Sequence, residues 1–293
     1  MMSSSITELG SASTEGNRST SRLNLVFDTA PGGVTFVKSQ FAEYPFHVCR
    51  PHYLDRALPR MATLYLQSCS GGLFEDDDLN CTITAEAGAA VHVTSQASTI
   101  VHSSRHGRSA VLRTKICAQS DAIVEYMPDC MILFPESRLA TRLDISLQPS
   151  ATVIVSDAFI LHDPNCKNRP PAALEAAICA RSSEGRLLAA DRIALFGNDL
   201  KSKRPGIMGA WNCHATLMLF TMRRSAADLC QALRAAAADF HDIYCGVSEL
   251  PNRAGAWVRM LSADAVSLRS AMQAIWIEGR RLVTGDFPDA RRK

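Results

Sequence analysis

Three similar strand–turn–strand segments recur in the sequence, and this internal repeat limits the possible folds more than any other feature. The segments are LNCTITAEAGAAVHVTSQ, RTKICAQSDAIVEYMPD and RLDISLQPSATVIVSDA. Each carries an alanine after its turn, at Ala89, Ala122 and Ala151, and these alanines are 33 and 29 residues apart. Such spacings are typical of stacked supersecondary units that bury one another's faces. The repeat predicts layered hairpins or a solenoid-like stack, with chance similarity among strand–turn–strand units as the alternative.

Apolar and polar residues alternate along most of residues 23–219. In one run, Leu143, Ile145 and Leu147 alternate with polar residues, which is typical of strands with one buried face. Gly, Pro, Asp and Ser interrupt these runs at short intervals, so tight turns rather than helices are expected between them.

The period becomes helical after Thr221. Ser225 followed by Asp228 predicts a capping box at the start of one helix, and a second helix is expected from about Asp264. We therefore predict a mainly β fold of layered antiparallel or solenoid-like sheets with two α-helices in the C-terminal third. Its expected parts are a disordered N-terminal tail (1–22), a β-rich scaffold (23–220) and a C-terminal α/β segment (221–293) docked on the scaffold as one unit.

Composition excludes several classes of protein. The 293 residues include 31 basic and 29 acidic side chains, for a net charge of +2, whereas a dedicated nucleic-acid binder would show a basic stripe. No apolar run approaches the roughly 20 residues of a membrane helix, and the N-terminus lacks the apolar core of a signal peptide. We expect a cytoplasmic protein.

None of its 10 cysteines forms a C-x-x-C pair, so most should be reduced and buried.

Enzyme motifs are absent from the sequence: there is no phosphate-binding loop, nucleophile elbow or zinc-protease motif. The acidic run Glu75 to Asp78 is either a solvated turn or a site for a divalent cation. One alternative function is accordingly a β-rich hydrolase or isomerase with a loop-borne site around Asp76, Asp77 and His102. Another is a binding module unconnected with the function inferred below.

Five segments together resemble the UreD/UreH family of urease accessory proteins. They are LYLQSCSGGLFEDDDL, VHVTSQASTIVHSS, VEYMPDCMILFPES, EGRLLAADRIALFG and GVSELPNRAGAWVRMLSADAVSLRSAMQAIW. In the first, Gly71, Gly72 and Asp77 match the family signature. The chain departs from the family at Ile100, at His102 and at Asp191, where the family has lysine, tyrosine and glutamate.

The resemblance implies a non-catalytic scaffold for urease maturation. Family members form a complex with UreF and the GTPase UreG and bind apo-urease. They are thought to carry a water-filled passage along which nickel moves, so no tightly bound cofactor is implied, only transient Ni²⁺. Nickel would need oxygen or nitrogen ligands that are close enough for transfer but too few for a deep trap.

The matched segments supply candidates for these roles. The metal-path candidates are Asp77, Asp157, Glu125 and Asp191. Thr99 and His102 are expected to line the path. When the repeats are aligned, Glu125 stands level with His92 and Ile154. The C-terminal helices, with Arg269, Arg280 and Arg281 expected on their exposed faces, are the predicted docking surface for UreF.

Overall fold

The computed structural model describes residues 20–289, which form two large β-sheets packed face to face and two long helices on the outer side of one sheet. The strands are β1 (Thr20–Thr29), β2 (Thr35–Ala42), β3 (Phe46–Val48), β4 (Ala62–Ser68), β5 (Asp78–Ala85), β6 (Ala90–Ser95), β7 (Thr99–Val101), β8 (Ala110–Ala118), β9 (Ile123–Tyr126), β10 (Met131–Leu133), β11 (Arg138–Leu147), β12 (Thr152–Leu161), β13 (Ala173–Ser182), β14 (Leu187–Phe196), β15 (Cys213–Thr221), β16 (Ile243–Glu249) and β17 (Gly255–Ser262). The helices are α1 (Gly197–Lys201), α2 (Ala226–Ala237) and α3 (Ala265–Thr284).

Successive strands of the repeats alternate between the two sheets, as in a solenoid. The seven-stranded sheet has the order β14-β13-β11-β8-β5-β1-β2. The ten-stranded sheet runs β16-β17-β15-β12-β9-β6-β4-β3, with β10 and β7 attached beside β12. Pairing is parallel in the middle of each sheet and antiparallel toward the ends. The mainly β, layered and solenoid-like fold is thus confirmed.

The internal repeat corresponds to the coils of this solenoid. Val91, Val124 and Val153 stand directly side by side on β6, β9 and β12. The next position holds His92, Glu125 and Ile154 in one row, as the alignment predicts. Strand β4 is not part of the sequence repeat, but it extends the row, since its Thr63 pairs with His92.

Side chains on β12 alternate between two cores. Val153 and Val155 point between the sheets, whereas Ile154 and Ala158 point toward the helices. Residues of both sheets contribute to the first core, and α2 and α3 cover the second. Strand β15, which follows β12 in the ten-stranded sheet, is buried along its whole length.

Both C-terminal helices begin where the capping residues predict. The Ser225 side chain accepts a hydrogen bond from Asp228 N, and the Asp264 side chain accepts from two backbone N–H groups of the first turn of α3, which satisfies donors that lack partners within the helix. Helix α3 ends at Thr284 and is capped by Gly285, whose φ of 91° is in the left-handed region.

Arg280 differs from its predicted position. Only 1% of the residue is exposed, because it follows Trp276 by four places on the buried face of α3. Its Nε and Nη2 atoms donate to the two carboxylate oxygens of Glu125 at 2.5 Å, and Nη1 donates to Asp55 at 2.6 Å. Arg280 therefore fixes the helix to the sheet and is not part of an exposed docking surface.

Four smaller predictions concern the N-terminal tail, the connections between strands, the cysteines and membrane helices. The segment predicted as a disordered tail falls mostly on residues 1–19, which lie outside the described residues, and β1 already begins at Thr20. Helix α1 lies in the region where only turns were expected. Four of the ten cysteines are buried, so the expectation that most are buried was wrong. Within residues 20–289, no helix is both long enough and apolar enough to cross a membrane.

Replacing Arg280 with methionine should lower the free energy of unfolding by about 3–5 kcal/mol, because Glu125 and Asp55 would remain buried without a cation. Urea unfolding followed by circular dichroism measures this change. Arg269→Met, on the exposed face of the same helix, is the matched control and should have little effect. Equal losses in the two variants would contradict this role of Arg280.

Candidate functional site

A layer of polar side chains crosses the space between the two sheets. Asp157 on β12 lies between Val155 and Phe159, both of which pack in the inter-sheet core. On β8, Thr114 lies in the same way between Ile116 and Leu112. We call the following residues the polar layer, since each projects between the sheets: Thr114, Tyr126, Asp157, Asp191, Thr216 and Arg259.

Strand register places several members of the polar layer side by side. Asp157 pairs with Thr216 across β12 and β15, and Thr216 pairs with Arg259 across β15 and β17. Two contacts then bridge the sheets. Arg259 Nη2 donates to Asp191 Oδ2 at 2.6 Å, and the hydroxyl groups of Thr114 and Tyr126 lie 3.4 Å apart.

The two carboxyl groups of the layer influence each other. Burial and then the negative charge of Asp191 raise the pKa of Asp157 to about 6. A carboxyl group in this state holds a proton for part of the time near neutral pH, which lowers the cost of burying it. Asp191 is held by its ion pair with the Arg259 guanidinium.

Each of two cavities has one member of the polar layer in its wall, Tyr126 in the first and Arg259 in the second. The first, of about 300 Å³, lies beside the Gly71–Gly72 turn, and Thr99, Cys81 and Tyr126 are among its lining residues. We call it the turn cavity. The second, of about 680 Å³, lies between the edges of the sheets; we call it the edge cavity. Its walls include Ile193, His214, Tyr244, Trp257 and Arg259.

Gly72 shapes one wall of the turn cavity. Its φ is 138°, and a Cβ atom there would stand 2.3 Å from the carbonyl oxygen of Ile100. Without a side chain, the segment can approach the neighbouring strand, where Leu73 N donates to Ile100 O at 2.7 Å. His102 lies against this turn, and its Nε2 contacts the Gly71 carbonyl oxygen at 3.0 Å.

The remaining predicted site residues lie elsewhere. Asp77 Oδ2 accepts a hydrogen bond from Phe74 N, so this carboxylate caps its own turn. His102 is not among the residues lining the turn cavity and stacks on Phe74 at 4.3 Å. Glu125, predicted in the path, points away from the polar layer toward α3, because it alternates with the inward residues Val124 and Tyr126.

Glu125 belongs instead to the buried ionic cluster under α3. His92 Nδ1 lies 2.6 Å from Glu125 Oε2, and Arg280 holds both carboxylate oxygens. Burial alone would raise the pKa of Glu125, but the Arg280 charge and the hydrogen bonds outweigh it and lower the pKa to about 2. Glu125 is therefore ionised at neutral pH and fully engaged by its neighbours.

The loop-borne enzyme site considered above receives no support from these contacts. Asp76 forms an ion pair with Arg108, and Asp77 and His102 are engaged within the turn. Within residues 20–289, no group of three or more His, Cys, Asp or Glu side chains is arranged to hold a metal ion.

Comparison with known proteins decides the family. The family model described as UreD urease accessory protein matches residues 19–292. The chain is 41% identical over 270 residues to Urease accessory protein UreD 1 of Pseudomonas syringae pv. syringae, covering 92% of this chain and 94% of the relative. The chain belongs to the UreD family of urease accessory proteins.

More distant UreD proteins match over a similar extent. The protein named UreD 1 in Methylorubrum populi is 36% identical over 263 residues, covering 89% of this chain and 88% of the relative. The UreD 1 protein of a Bradyrhizobium species is 33% identical over 252 residues, covering 83% and 84%. These relatives are named as accessory proteins and not as enzymes, which fits a non-catalytic role in urease maturation.

Sequence reasoning missed Arg259, Thr216 and His214, although a signal was present. In WVRML, Arg259 lies two residues from Trp257 and two from Leu261. It therefore projects to the same apolar face of the strand as they do. A charged residue in that phase needs a partner inside the protein, and Asp191 is that partner.

Gly72→Ala should lower the free energy of unfolding by about 2 kcal/mol or more, because alanine at this φ is strained and its Cβ would collide with a backbone oxygen. Gly71→Ala is a matched control, since a Cβ there would meet nothing within 4 Å. Thermal unfolding of the two variants tests the difference, and equal midpoints would contradict it.

Asp157→Asn should stabilise the protein by about 1–3 kcal/mol at pH 7.5 and by much less at pH 4. The reason is that the folded state raises the pKa of Asp157 to about 6, so wild-type stability falls as rising pH ionises this group. Urea midpoints at the two pH values measure the effect. Asp121→Asn, at a side chain 64% exposed, should show no such dependence. An effect of Asp157→Asn that is independent of pH would contradict the assignment.

Proposed function

We propose that this UreD protein is a non-catalytic scaffold of cytoplasmic urease maturation that binds UreF, UreG and apo-urease and lets nickel pass between its two sheets. The observation that carries the proposal is the pair of carboxyl groups, Asp157 and Asp191, in a polar layer whose members Tyr126 and Arg259 each line a cavity. Nickel is the cargo in this scheme, and the scaffold breaks no covalent bond.

The proposed route runs from the turn cavity through the polar layer to the edge cavity. Thr99, Cys81 and Tyr126 line the first part, and Arg259 lines the last. Carboxylate and hydroxyl oxygens are suitable ligands for a divalent cation in transit. Because the route offers few such groups at any one point, the ion would be released as readily as it is bound.

Arg259 and Asp157 carry charges of opposite sign along this route. The guanidinium repels a divalent cation, and its pairing with Asp191 occupies one of the two carboxylates. A cation that reaches Asp157 would compete with Arg259 for Asp191. The charge of the cargo would thus control how far it advances.

The exposed part of α3 is the proposed docking surface for UreF. Arg269 is exposed near the start of the helix, and Val266 beside it is 77% exposed. Arg281 lies partly exposed at the other end, where it pairs with Glu278 and stacks over Phe287. An arginine beside exposed apolar side chains is common at protein interfaces.

The double variant Asp157→Asn plus Asp191→Asn should still assemble with UreF, UreG and apo-urease but should leave urease with several-fold less nickel. Co-purification measures assembly, and metal analysis of the isolated urease measures nickel. The matched control is Asp144→Asn plus Glu175→Gln, which removes two carboxylates from the outer face of the seven-stranded sheet. Full metallation by the inner double variant would refute the route.

A further inference from the structure

Strand β16 ends the ten-stranded sheet with a free edge. Among the described residues it pairs with β17 and with no other strand. Leu250 N donates to Gly255 O at 2.9 Å, and the pairs that exchange hydrogen bonds alternate along an antiparallel ladder. Gly246 therefore bonds toward β17, whereas Cys245 and Val247 present their N–H and C=O groups at the free edge.

This edge has little of the protection that edge strands usually carry. Lysine, proline and bulges commonly keep an exposed edge from pairing with another chain. The sequence of β16, IYCGVSE, has neither residue, and its pairing with β17 is regular. Arg234 Nη2 of α2 donates to Val247 O at 2.8 Å, but a carbonyl oxygen can accept a second hydrogen bond. A further strand can therefore pair with β16.

The edge cavity lies along this free edge. Val247 lines the cavity although its side chain packs under α2, so the main chain of β16 forms that part of the wall. Trp257 and Arg259 of β17 lie deeper in the cavity, and residues 192–195 of β14 form the opposite wall. The cavity is thus a cleft between the outermost strands of the two sheets.

Small side chains on β16 leave space in this cleft. Tyr244, Gly246 and Ser248 alternate on the side of β16 that faces the seven-stranded sheet, and all three are exposed. On β14, by contrast, the inward side chains of Ile193 and Leu195 pack in the core between the sheets. The two sheets are therefore not closed against each other at β16.

The charged side chains that line the cleft are positive. Arg192 and Arg259 are among its lining residues, and no aspartate or glutamate is. The Arg259 side chain is 36% exposed, and its Nε atom has no hydrogen-bond partner within residues 20–289. Asp191 binds Arg259 at Nη2, and Glu175 pairs with Arg192 from outside the cleft. Gly246 stands opposite Arg259, so no side chain separates the guanidinium from a strand added beside β16.

We propose that β16 is a strand-addition site, in which an extended acidic segment of a partner protein binds in the edge cavity as a further strand. Its main chain bonds to the free groups of Cys245 and Val247, and carboxylates at alternate positions face Arg259 and Arg192. The association is non-covalent. It requires no metal ion and does not depend on the nickel route.

A capped heptapeptide in which glutamate alternates with valine is a suitable probe, because β16 also has seven residues. Isothermal titration calorimetry with the full-length protein should show saturable binding. The same peptide with glutamine in place of glutamate should bind about fivefold more weakly, since it forms no ion pairs, and the lysine peptide should not bind. Absence of saturable binding by the glutamate peptide, or equal binding of the glutamate and glutamine peptides, would overturn the proposal.

Methylation of the peptide's backbone nitrogens tests whether it binds as a strand. One peptide is methylated at every valine nitrogen and the other at every glutamate nitrogen. Alternate N–H groups of a strand point to opposite edges, so one peptide should lose most of its binding and the other should retain it. Loss with methylated valine indicates antiparallel addition, and loss with methylated glutamate indicates parallel addition. Equal effects of the two modifications would overturn strand addition.

Two substitutions of Gly246 locate the peptide on the protein. A Cβ atom there would meet nothing within 4 Å, so Gly246→Glu and Gly246→Gln should both fold, which circular dichroism checks. Gly246→Glu should bind the glutamate peptide about fivefold more weakly than Gly246→Gln, because it places a like charge beside Arg259. Gly32→Glu, in an equally open turn of the seven-stranded sheet, is the matched control and should bind as the wild type does. Equal binding by the two Gly246 variants would refute the site.

Sedimentation velocity distinguishes a partner segment from a second copy of this chain. An exposed strand edge can pair with the same edge of another molecule, so two copies could associate through β16. We expect the free protein to sediment as a monomer at the concentrations used for calorimetry. A dimer that Gly246→Glu dissociates would overturn the proposal in favour of self-association.

Discussion

The parallel register of the solenoid coils is the constraint on which the rest of the structure depends. Because each coil repeats the same strand positions, equivalent residues form rows across a sheet, as Val91, Val124 and Val153 do. Polar residues at the same position of several strands then lie side by side and form a layer. In the polar layer, antiparallel strands extend this row beyond the coils: Asp157 of the last repeat is paired with Thr216, and Thr216 with Arg259, on three adjacent strands.

Two acidic residues on neighbouring strands of one sheet show how the surroundings set the charge of a buried carboxyl group. Glu125 and Asp157 both interrupt apolar strands, yet the Arg280 guanidinium lowers the pKa of Glu125 to about 2, whereas burial and then the charge of Asp191 raise the pKa of Asp157 to about 6. The first is satisfied in its charged form and holds α3 in place. The second is buried without a guanidinium beside it and holds a proton for part of the time near neutral pH.

Much of the fold could be predicted from sequence, because alternation and repeat spacing are local signals. The row containing His92, Glu125 and Ile154 was predicted correctly from the repeat alone. The face toward which that row points was not, because either side of a central strand can be buried when helices cover one and a second sheet covers the other. Glu125 was therefore assigned to the wrong side, and Arg280, its partner 155 residues away, was placed on the surface.

Side-chain alternation on β12 also governs where this chain can change length. Inserting one residue between Val153 and Asp157 would turn the carboxylate toward the helices and move the preceding residue into its place between the sheets. Insertions and deletions are therefore tolerable only at the corners of the coils. The unequal repeat spacings of 33 and 29 residues fit this rule, since the paired strands stay in register and the turns absorb the difference.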